Sequence, residues 1–239
     1  MSNTPAGPGS IHQELETRSK TRIKICGVRD MAIAESVAES GADMIGFNFV
    51  KRSPRYIEYD LAKAIVDELP DSMTPVALVN HLTHRDQFLD LSRRTGINFI
   101  QLHGEEAPGL AATIEELHLL RALPAEAVED SERLAAWSIH PHVEAFLWDA
   151  PSSPDNPLGG GSGQTSDWTW LSARLPGARP SILAGGLTPD NVGEAIRTVR
   201  PWGVDVSSGV ESSRGVKDHG LIRAFCEAVR EADASLAND

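Results

Sequence analysis

The feature that most constrains the fold of this chain is a series of short apolar runs, rich in β-favouring residues, that recur along most of its length. Eight such runs are Arg22 to Cys26, Met44 to Phe49, Val76 to Val79, Phe99 to Leu102, Leu117 to Ala122, Val143 to Trp148, Ser181 to Ala184 and Gly203 to Val206. Each has the length of a buried strand and is too short to span a membrane. The fifth run, which reads LHLLRAL, also fits a helix.

The segments between these runs have helical spacing. Before the third run, for example, Leu61, Ala64, Ile65 and Leu69 fall on one face of a helix. Strands that alternate with helices through short connections form parallel sheets, and eight such units favour closure into a barrel over an open sheet. The sequence therefore predicts an α/β fold, a single parallel (β/α)8 barrel of the TIM type, as one domain over residues 21–239.

Two polar segments are expected to lie apart from the regular barrel. Residues 1–20, MSNTPAGPGSIHQELETRSK, are rich in Pro, Gly, Ser and Thr at their start and contain no apolar core of a signal peptide, so they are predicted to be a flexible tail. A second polar stretch, Pro151 to Asp167, follows the sixth run and contains a glycine cluster. Loops of this length in compact domains are usually functional or disordered.

Charge and cysteine content limit the partners and the compartment. The formal net charge of −12 disfavours nucleic acid and anionic membrane as partners, although it does not exclude a local basic pocket for a phosphorylated small molecule. The two cysteines, Cys26 and Cys226, are too few for a disulfide framework and are not clustered as zinc ligands are. The sequence therefore predicts a cytoplasmic protein with no metal site.

The polar residues that follow the eight runs indicate where chemistry would take place, because the carboxyl ends of the strands of a parallel barrel converge on one face. In chain order these residues are Cys26, Arg55, Asn80, His103, Asp149, Gly185, Gly186, Asp205, Ser208 and Gly209. The sequence thus places a candidate site at this face of the barrel.

Seven motifs in order strengthen this interpretation. They read KICG, GFNFVKRSPRY, IQLHGEE, LWDA, GGSGQTSDW, LAGGLTPDNV and VDVSSGVE, and together they cover the chain from Lys24 to about Asp218. In this order and spacing they resemble the phosphoribosylanthranilate isomerases of tryptophan biosynthesis. Enzymes of that family convert N-(5-phosphoribosyl)anthranilate to 1-(2-carboxyphenylamino)-1-deoxyribulose 5-phosphate by an Amadori rearrangement, without metal or organic cofactor. The chain departs from the family pattern at Gln164 and Ser166, where a lysine or similar residue and an aromatic residue are common.

The resemblance implies a catalytic pair. The rearrangement opens a furanose ring and removes a proton from sugar C2, so it needs an acid at the ring oxygen and a base at C2. By resemblance Asp149 is the acid, in a pocket expected to raise its pKa, and Cys26 is the base, expected to be partly thiolate with help from Lys24 on the same side of its strand. From the residues alone, Cys26 could instead be a packing residue and Asp149 could brace a loop.

The resemblance also implies a group for each anionic end of the substrate. Arg55 corresponds to the residue that holds the anthranilate carboxylate, a role suited to a guanidinium, although a loop arginine is often only solvated. The phosphate is assigned to backbone N–H groups after the seventh and eighth strands, at Gly185, Gly186, Ser208 and Gly209. Gly161 and Gly163 are candidates for closing over the sugar, or for simple turn geometry.

Some roles and two other functions stay open at this point. Asn80, His103 and Asp205 are possible site residues, and each also fits a structural role. One alternative is a related or dual-substrate barrel isomerase of histidine biosynthesis, which would carry an aspartate where Cys26 stands and bind two phosphates. Another is a non-catalytic binding barrel, which would not need the polar residues at its strand ends. The chain is expected to be a monomer or a homodimer.

Overall fold

A computed structural model describes residues 20–149, 167–177 and 179–237, and these residues form a closed barrel of eight parallel strands. The strands are β1 (Arg22–Cys26), β2 (Met44–Asn48), β3 (Thr74–Val79), β4 (Phe99–Leu102), β5 (His118–Pro124), β6 (Val143–Asp149), β7 (Ser181–Leu183) and β8 (Gly203–Val206). β8 pairs with β1 in register Arg22 to Gly203, which closes the sheet. The predicted barrel is confirmed, and the fifth run is a strand.

Helices cover the outside of the barrel. They are α1 (Met31–Glu39), α2 (Tyr59–Glu68), α3 (Arg85–Thr95), α4 (Ser131–Ser138), α5 (Trp168–Ser172), α6 (Val192–Val199) and α7 (His219–Leu236). A hairpin of two short strands, β9 (Glu211–Ser213) and β10 (Val216–Lys217), lies between β8 and α7. Among the helices described, none is both long enough and apolar enough to cross a membrane.

The connection after β4 differs from the predicted pattern, in which an α-helix follows every strand. Between β4 and β5 the chain forms a 3-10 helix, Pro108–Thr113, with the proline in its first turn. Proline at the first positions favours the start of a helix, whereas Gly109 directly after it disfavours a longer α-helix. The connection after β4 is therefore made by a short 3-10 helix and not by an α-helix.

The hydrophobic core has two layers, because successive side chains of a strand point to opposite faces of the sheet. The inner layer fills the barrel and includes Met44, Val76, Phe99, Leu120 and Leu147. The larger outer layer joins the strands to the surrounding helices. A barrel filled by side chains is a rigid support, so the strand ends are held in fixed positions around its mouth.

At the opposite end from the mouth, a set of polar contacts joins β1 to α7. We name it the base network, and it consists of Thr21, Arg22, Asp43, Arg230 and Asp233. The backbone N–H and the hydroxyl of Thr21 donate to the Asp233 carboxylate at 2.9 and 2.6 Å, and Arg230 Nη1 donates to the Thr21 carbonyl at 2.7 Å. Thr21 thus connects the start of β1 to α7, whereas residues 1–19 of the predicted tail lie outside the described part of the chain.

Candidate active site

The side chain of Cys26 lies at the mouth end of β1 in contact with a buried ion pair. Lys24, two residues earlier on the same face of the strand, donates from Nζ to Asp205 Oδ1 of β8 at 2.8 Å, and its side chain is 1% exposed. A Cβ atom built on Gly46 of β2 would lie 2.9 Å from Cys26 Sγ and 3.2 Å from Lys24 Nζ. The absence of a side chain at Gly46 therefore leaves room for the thiol and the ammonium group side by side.

The electrostatics of this group differ from the expectation for Cys26. Burial raises the pKa of the Cys26 thiol, and although Lys24 lowers it, the net pKa lies above the usual range, with Asp205 adding to the increase. Burial lowers the pKa of Lys24, but the interactions with Asp205 and Cys26 raise it by more, so the net pKa of Lys24 is raised. The ammonium does reach the thiol, as predicted, but most of its charge is matched by Asp205. This direction favours the protonated thiol in the free protein, which is opposite to the direction expected from the sequence.

Asp149 ends β6 and lies beside His103, which follows β4. The His103 Nε2 and Asp149 Oδ2 atoms are 3.9 Å apart, and the two side chains are 18% and 10% exposed. β6 and β1 are separated by β7 and β8 around the barrel, so Asp149 and Cys26 stand on different sides of the same mouth. A small molecule in the mouth would have a carboxyl group on one side and a thiol on the other.

Arg55, after β2, is held by Glu211 of the β9–β10 hairpin. Its Nε donates to Glu211 Oε1 at 2.7 Å and its Nη2 to Glu211 Oε2 at 2.9 Å, with the two side chains 13% and 3% exposed. The aliphatic part of Arg55 packs on Gly27, where a Cβ atom would lie 2.7 Å from Arg55 Cδ. Gly27 has a φ of 81° and directly follows Cys26. The arginine predicted from the sequence therefore borders the base candidate.

Glu211 is also bound by Lys217 of the same hairpin. Lys217 Nζ donates to Glu211 Oε1 at 2.9 Å and to the carbonyl of Ser207 at 2.8 Å, while the Ser207 hydroxyl donates to the Cys26 carbonyl at 3.0 Å. Despite the cost of burying a carboxylate, the hydrogen bond from Arg55 and the charge of Lys217 lower the pKa of Glu211 to about 2. We name Arg55, Glu211 and Lys217 the arginine cluster, since the glutamate joins the two cations.

The loops after β7 and β8 meet through their backbones. Gly185 and Gly186 have φ angles of 83° and 64°, which favour glycine, and Asn191 holds the turn by donating to the Gly186 carbonyl at 3.0 Å. A Cβ atom on Gly209 would lie 1.8 Å from the carbonyl oxygen of Leu187. The residues predicted for phosphate binding are thus brought together as two adjoining main-chain turns, which we name the glycine corner.

Comparison with known proteins decides the family. The family described as N-(5'-phosphoribosyl)anthranilate (PRA) isomerase matches residues 23–228 of the chain. The chain belongs to this family. It is 38% identical over 216 residues to the N-(5'-phosphoribosyl)anthranilate isomerase of Pseudomonas putida, a match that covers 90% of this chain and 100% of that protein.

Solved structures of phosphoribosylanthranilate isomerases have the same fold. The isomerase from Thermotoga maritima superposes with a TM-score of 0.76 at 36% identity, covering 88% of this chain and 99% of that one. A structure of such an isomerase in complex with reduced 1-(o-carboxyphenylamino)-1-deoxyribulose 5-phosphate matches with a TM-score of 0.74 at 33% identity and the same coverage. The resemblance found in the motifs is confirmed.

Part of the expected site of this isomerase falls outside the described residues. Gly161 and Gly163, together with the departures at Gln164 and Ser166, belong to the undescribed segment 150–166. Within the part of the chain that is described, no group of three or more His, Cys, Asp or Glu side chains is arranged to hold a metal ion.

Several residues of the mouth were missed by sequence reasoning. Glu106 accepts hydrogen bonds from the backbone N–H groups of His81 and Gly104 and from Arg121 Nη1, all within 2.9 Å, and so ties together the loops that carry Asn80 and His103. Glu106 closes the IQLHGEE motif, as Glu211 closes VDVSSGVE. A charged residue at the end of an otherwise apolar or glycine-rich motif was the available signal, but its partners lie too far along the sequence to be inferred.

Proposed function

We propose that the mouth of this barrel isomerises N-(5'-phosphoribosyl)anthranilate to 1-(2-carboxyphenylamino)-1-deoxyribulose 5-phosphate, with Asp149 as the acid and Cys26 as the base. The chain is an isomerase of tryptophan biosynthesis by its family. The observation that supports the residue roles is the convergence of a buried carboxyl group and a buried thiol on one mouth, which also carries the arginine cluster and the glycine corner.

The reaction proceeds by two proton movements. Asp149 gives its proton to the furanose ring oxygen while the bond from that oxygen to C1 breaks, and the electron pair of the anilino nitrogen forms the C1–N double bond of a Schiff base. Cys26 then takes the proton from C2, the C1–C2 double bond forms, and the electron pair of the Schiff base returns to nitrogen. The resulting enolamine tautomerises to the ketone. General acid–base groups of this kind each contribute about 100-fold or more to the rate.

A protonated Cys26 in the free enzyme is compatible with this scheme when Asp149 and Cys26 are considered together. The active form has the acid protonated and the thiol ionised, and it carries the same number of protons as the form with the carboxylate ionised and the thiol protonated. The two forms are tautomers, so their ratio does not depend on pH. Lys24 raises the share of the active form, because it lies beside Cys26 and stabilises the thiolate.

The two ends of the substrate are assigned to two different groups of the mouth. Arg55 offers the anthranilate carboxylate a planar set of donors, and the glycine corner offers backbone N–H groups to the phosphate. Asp205, fixed by Lys24, is in position to accept from a sugar hydroxyl. The related isomerase that binds reduced 1-(o-carboxyphenylamino)-1-deoxyribulose 5-phosphate supports a ligand with these two ends. Activity on the histidine-pathway substrate is not favoured, because β1 carries Cys26 and the family match is to the tryptophan enzyme.

The test is an assay of the purified full chain on freshly prepared phosphoribosylanthranilate, followed by the loss of its fluorescence. Turnover is expected with no added metal or nucleotide, and equally in the presence of a chelator. No turnover, or turnover that a chelator abolishes and a divalent metal restores, would contradict the proposal. The cytoplasmic location and the monomeric or homodimeric state remain predictions, which fractionation and light scattering address.

A further inference from the structure

Arg55 has two edges that can grip a carboxylate, and only one of them is used within the protein. A guanidinium presents Nε and one Nη nitrogen along its side, and both Nη nitrogens at its end. Glu211 takes the side edge, since it binds Nε and Nη2. Among the described residues, Nη1 of Arg55 has no hydrogen-bond partner. The end of the guanidinium, formed by both Nη nitrogens, therefore remains available to a ligand.

The glutamate that fixes this orientation is itself held on several sides. Besides Arg55, it accepts from Lys217 Nζ and from the backbone N–H of Gly215, each at 2.9 Å. The hairpin that carries it is anchored in turn, because Arg29 donates to the Gly215 carbonyl at 2.7 Å and a Cβ atom on Gly215 would lie 2.8 Å from the carbonyl of Pro54. The position of the guanidinium is thus determined by a rigid support and not only by its own flexible chain.

We propose that Glu211 is a positioning residue, which turns the end of the Arg55 guanidinium toward the mouth and so sets the affinity for the carboxylate end of the substrate. This inference rests on the role given to Arg55 under the proposed function. Glu211 does not touch the substrate and acts through Arg55. Lys217 offsets the negative charge of Glu211, so the anionic substrate is not repelled by the glutamate.

The sign of the effect distinguishes positioning from simple charge. If only the charge of the mouth mattered, removing the negative charge of Glu211 would strengthen the binding of an anionic substrate. If Glu211 positions Arg55, the same change releases the guanidinium and weakens binding. A hydrogen bond to a charged group typically changes affinity by about 10- to 100-fold, so the two cases are easily separated.

The experiment compares Glu211→Gln, Arg55→Ala and the double variant on two substrates. One is phosphoribosylanthranilate and the other is the analogue that lacks the carboxylate, N-(5-phosphoribosyl)aniline. For Glu211→Gln we expect KM for phosphoribosylanthranilate to rise at least ~10-fold with kcat changed less than ~3-fold, and KM for the aniline analogue to stay the same. The double variant is expected to be no worse than Arg55→Ala alone, since both changes remove one interaction.

Controls separate positioning from loss of structure. Glu116→Gln makes the same substitution in an exposed glutamate that pairs with Arg85, and it should leave both substrates unaffected. Inhibition by inorganic phosphate, which reports on the glycine corner, should be unchanged in Glu211→Gln. If Glu211→Gln proves too unstable to assay, Lys217→Met, which leaves the pair with Arg55 intact, serves as the second variant, and its KM should change less than that of Arg55→Ala.

The outcomes are distinct. A lower or unchanged KM in Glu211→Gln, with a raised KM in Arg55→Ala, would overturn the positioning role and leave the proposed function standing. An unchanged KM in Arg55→Ala would remove the basis for both the carboxylate assignment and this inference. Equal losses on the two substrates would show that Glu211 supports the fold of the mouth in general, which also contradicts a specific action through Arg55.

Discussion

The mouth and the base of this barrel both contain buried and half-buried ion pairs, but the pairs are arranged differently. In the base network each charged side chain has a partner within the protein, and the contacts of Thr21 join the start of β1 to α7. In the mouth, Lys24 is paired with Asp205 and Arg55 with Glu211, next to the candidate base Cys26. The comparison teaches that an ion pair at the base serves closure of the barrel, whereas one at the mouth also sets the direction of a functional group.

The largest expected effect is a loss of kcat in variants of the mouth, without a loss of stability. Asp149→Asn and Cys26→Ser should each lower kcat at least ~100-fold, because each removes a group that transfers a proton, and neither should change the melting temperature by more than about 2 °C. Steady-state kinetics and thermal unfolding on the same preparations measure this. If Asp149→Asn kept more than about a tenth of the wild-type kcat, the mouth would need another acid, and His103 would be the first candidate to examine.

A second prediction tests whether the mouth also contributes to stability. The pKa of Glu211 is lowered to about 2 in the folded chain, against roughly 4.3 for an ordinary glutamate in the unfolded one. A lowered pKa stabilises the fold above pH ~4.3, here by roughly 3 kcal/mol. This stabilisation is lost as the pH falls, and about half of it is lost by pH 3. Urea unfolding between pH 5 and pH 3 should show a steeper loss in the wild type than in Glu211→Gln. Parallel curves for the two proteins would mean that this carboxylate has an ordinary pKa.

A third prediction concerns the base network, where a substitution should lower the stability of the fold and leave the activity nearly unchanged. Asp233→Ala removes both hydrogen bonds from Thr21 and should lower the free energy of unfolding by about 2 kcal/mol, since bonds to a charged group are worth roughly 1.5–3 kcal/mol. Because no group of the mouth is touched, kcat/KM at 25 °C should stay within a factor of about two. A large loss of kcat in a folded Asp233→Ala protein would show that the base and the mouth are coupled.

The smallest effect is expected on the outside of the barrel. Lys63 and Asp67 form an ion pair on α2 with side chains 43% and 53% exposed. Such exposed pairs contribute about 0.3–0.5 kcal/mol, so Asp67→Asn should change neither the kinetics nor, beyond this amount, the stability. This variant sets the background against which the mouth and the base are compared, and a shift of more than about 1 kcal/mol would mean that α2 is more tightly coupled to the core than its exposure indicates.

Much of the fold could be predicted because short apolar runs carry their own strand signal. The bounds of β1, β4 and β8 agree with the sequence prediction at both ends, and polar residues at the ends of several strands indicate the mouth. The connection after β4 could not be predicted in type, since its six residues sit at the limit between a 3-10 helix and an α-helix. Local sequence sets the strands more firmly than it sets short connections.

The candidate site was only partly accessible from the sequence. Cys26, Arg55 and Asp149 were found through their motifs, but the pairing of Arg55 with Glu211 spans 156 positions along the chain and has no local signal. The raised pKa of Cys26 could not be predicted, because it depends on burial and on the competition of Asp205 for Lys24. Such effects arise only when distant segments are brought together in three dimensions.

The contact of Gly209 with the carbonyl oxygen of Leu187 limits how this barrel can diverge. With 1.8 Å between that oxygen and a Cβ atom at 209, any other residue would push apart the loops after β7 and β8. The glycine corner must therefore be inherited as one unit, and a change in one loop requires a compensating change in the other. The arginine cluster is built from side chains, so a substitution there need not displace the main chain of a neighbouring loop. Under the proposed assignment of the phosphate to the glycine corner, a descendant of this barrel that accepts a new substrate is expected to keep the phosphate and to vary the group at its other end.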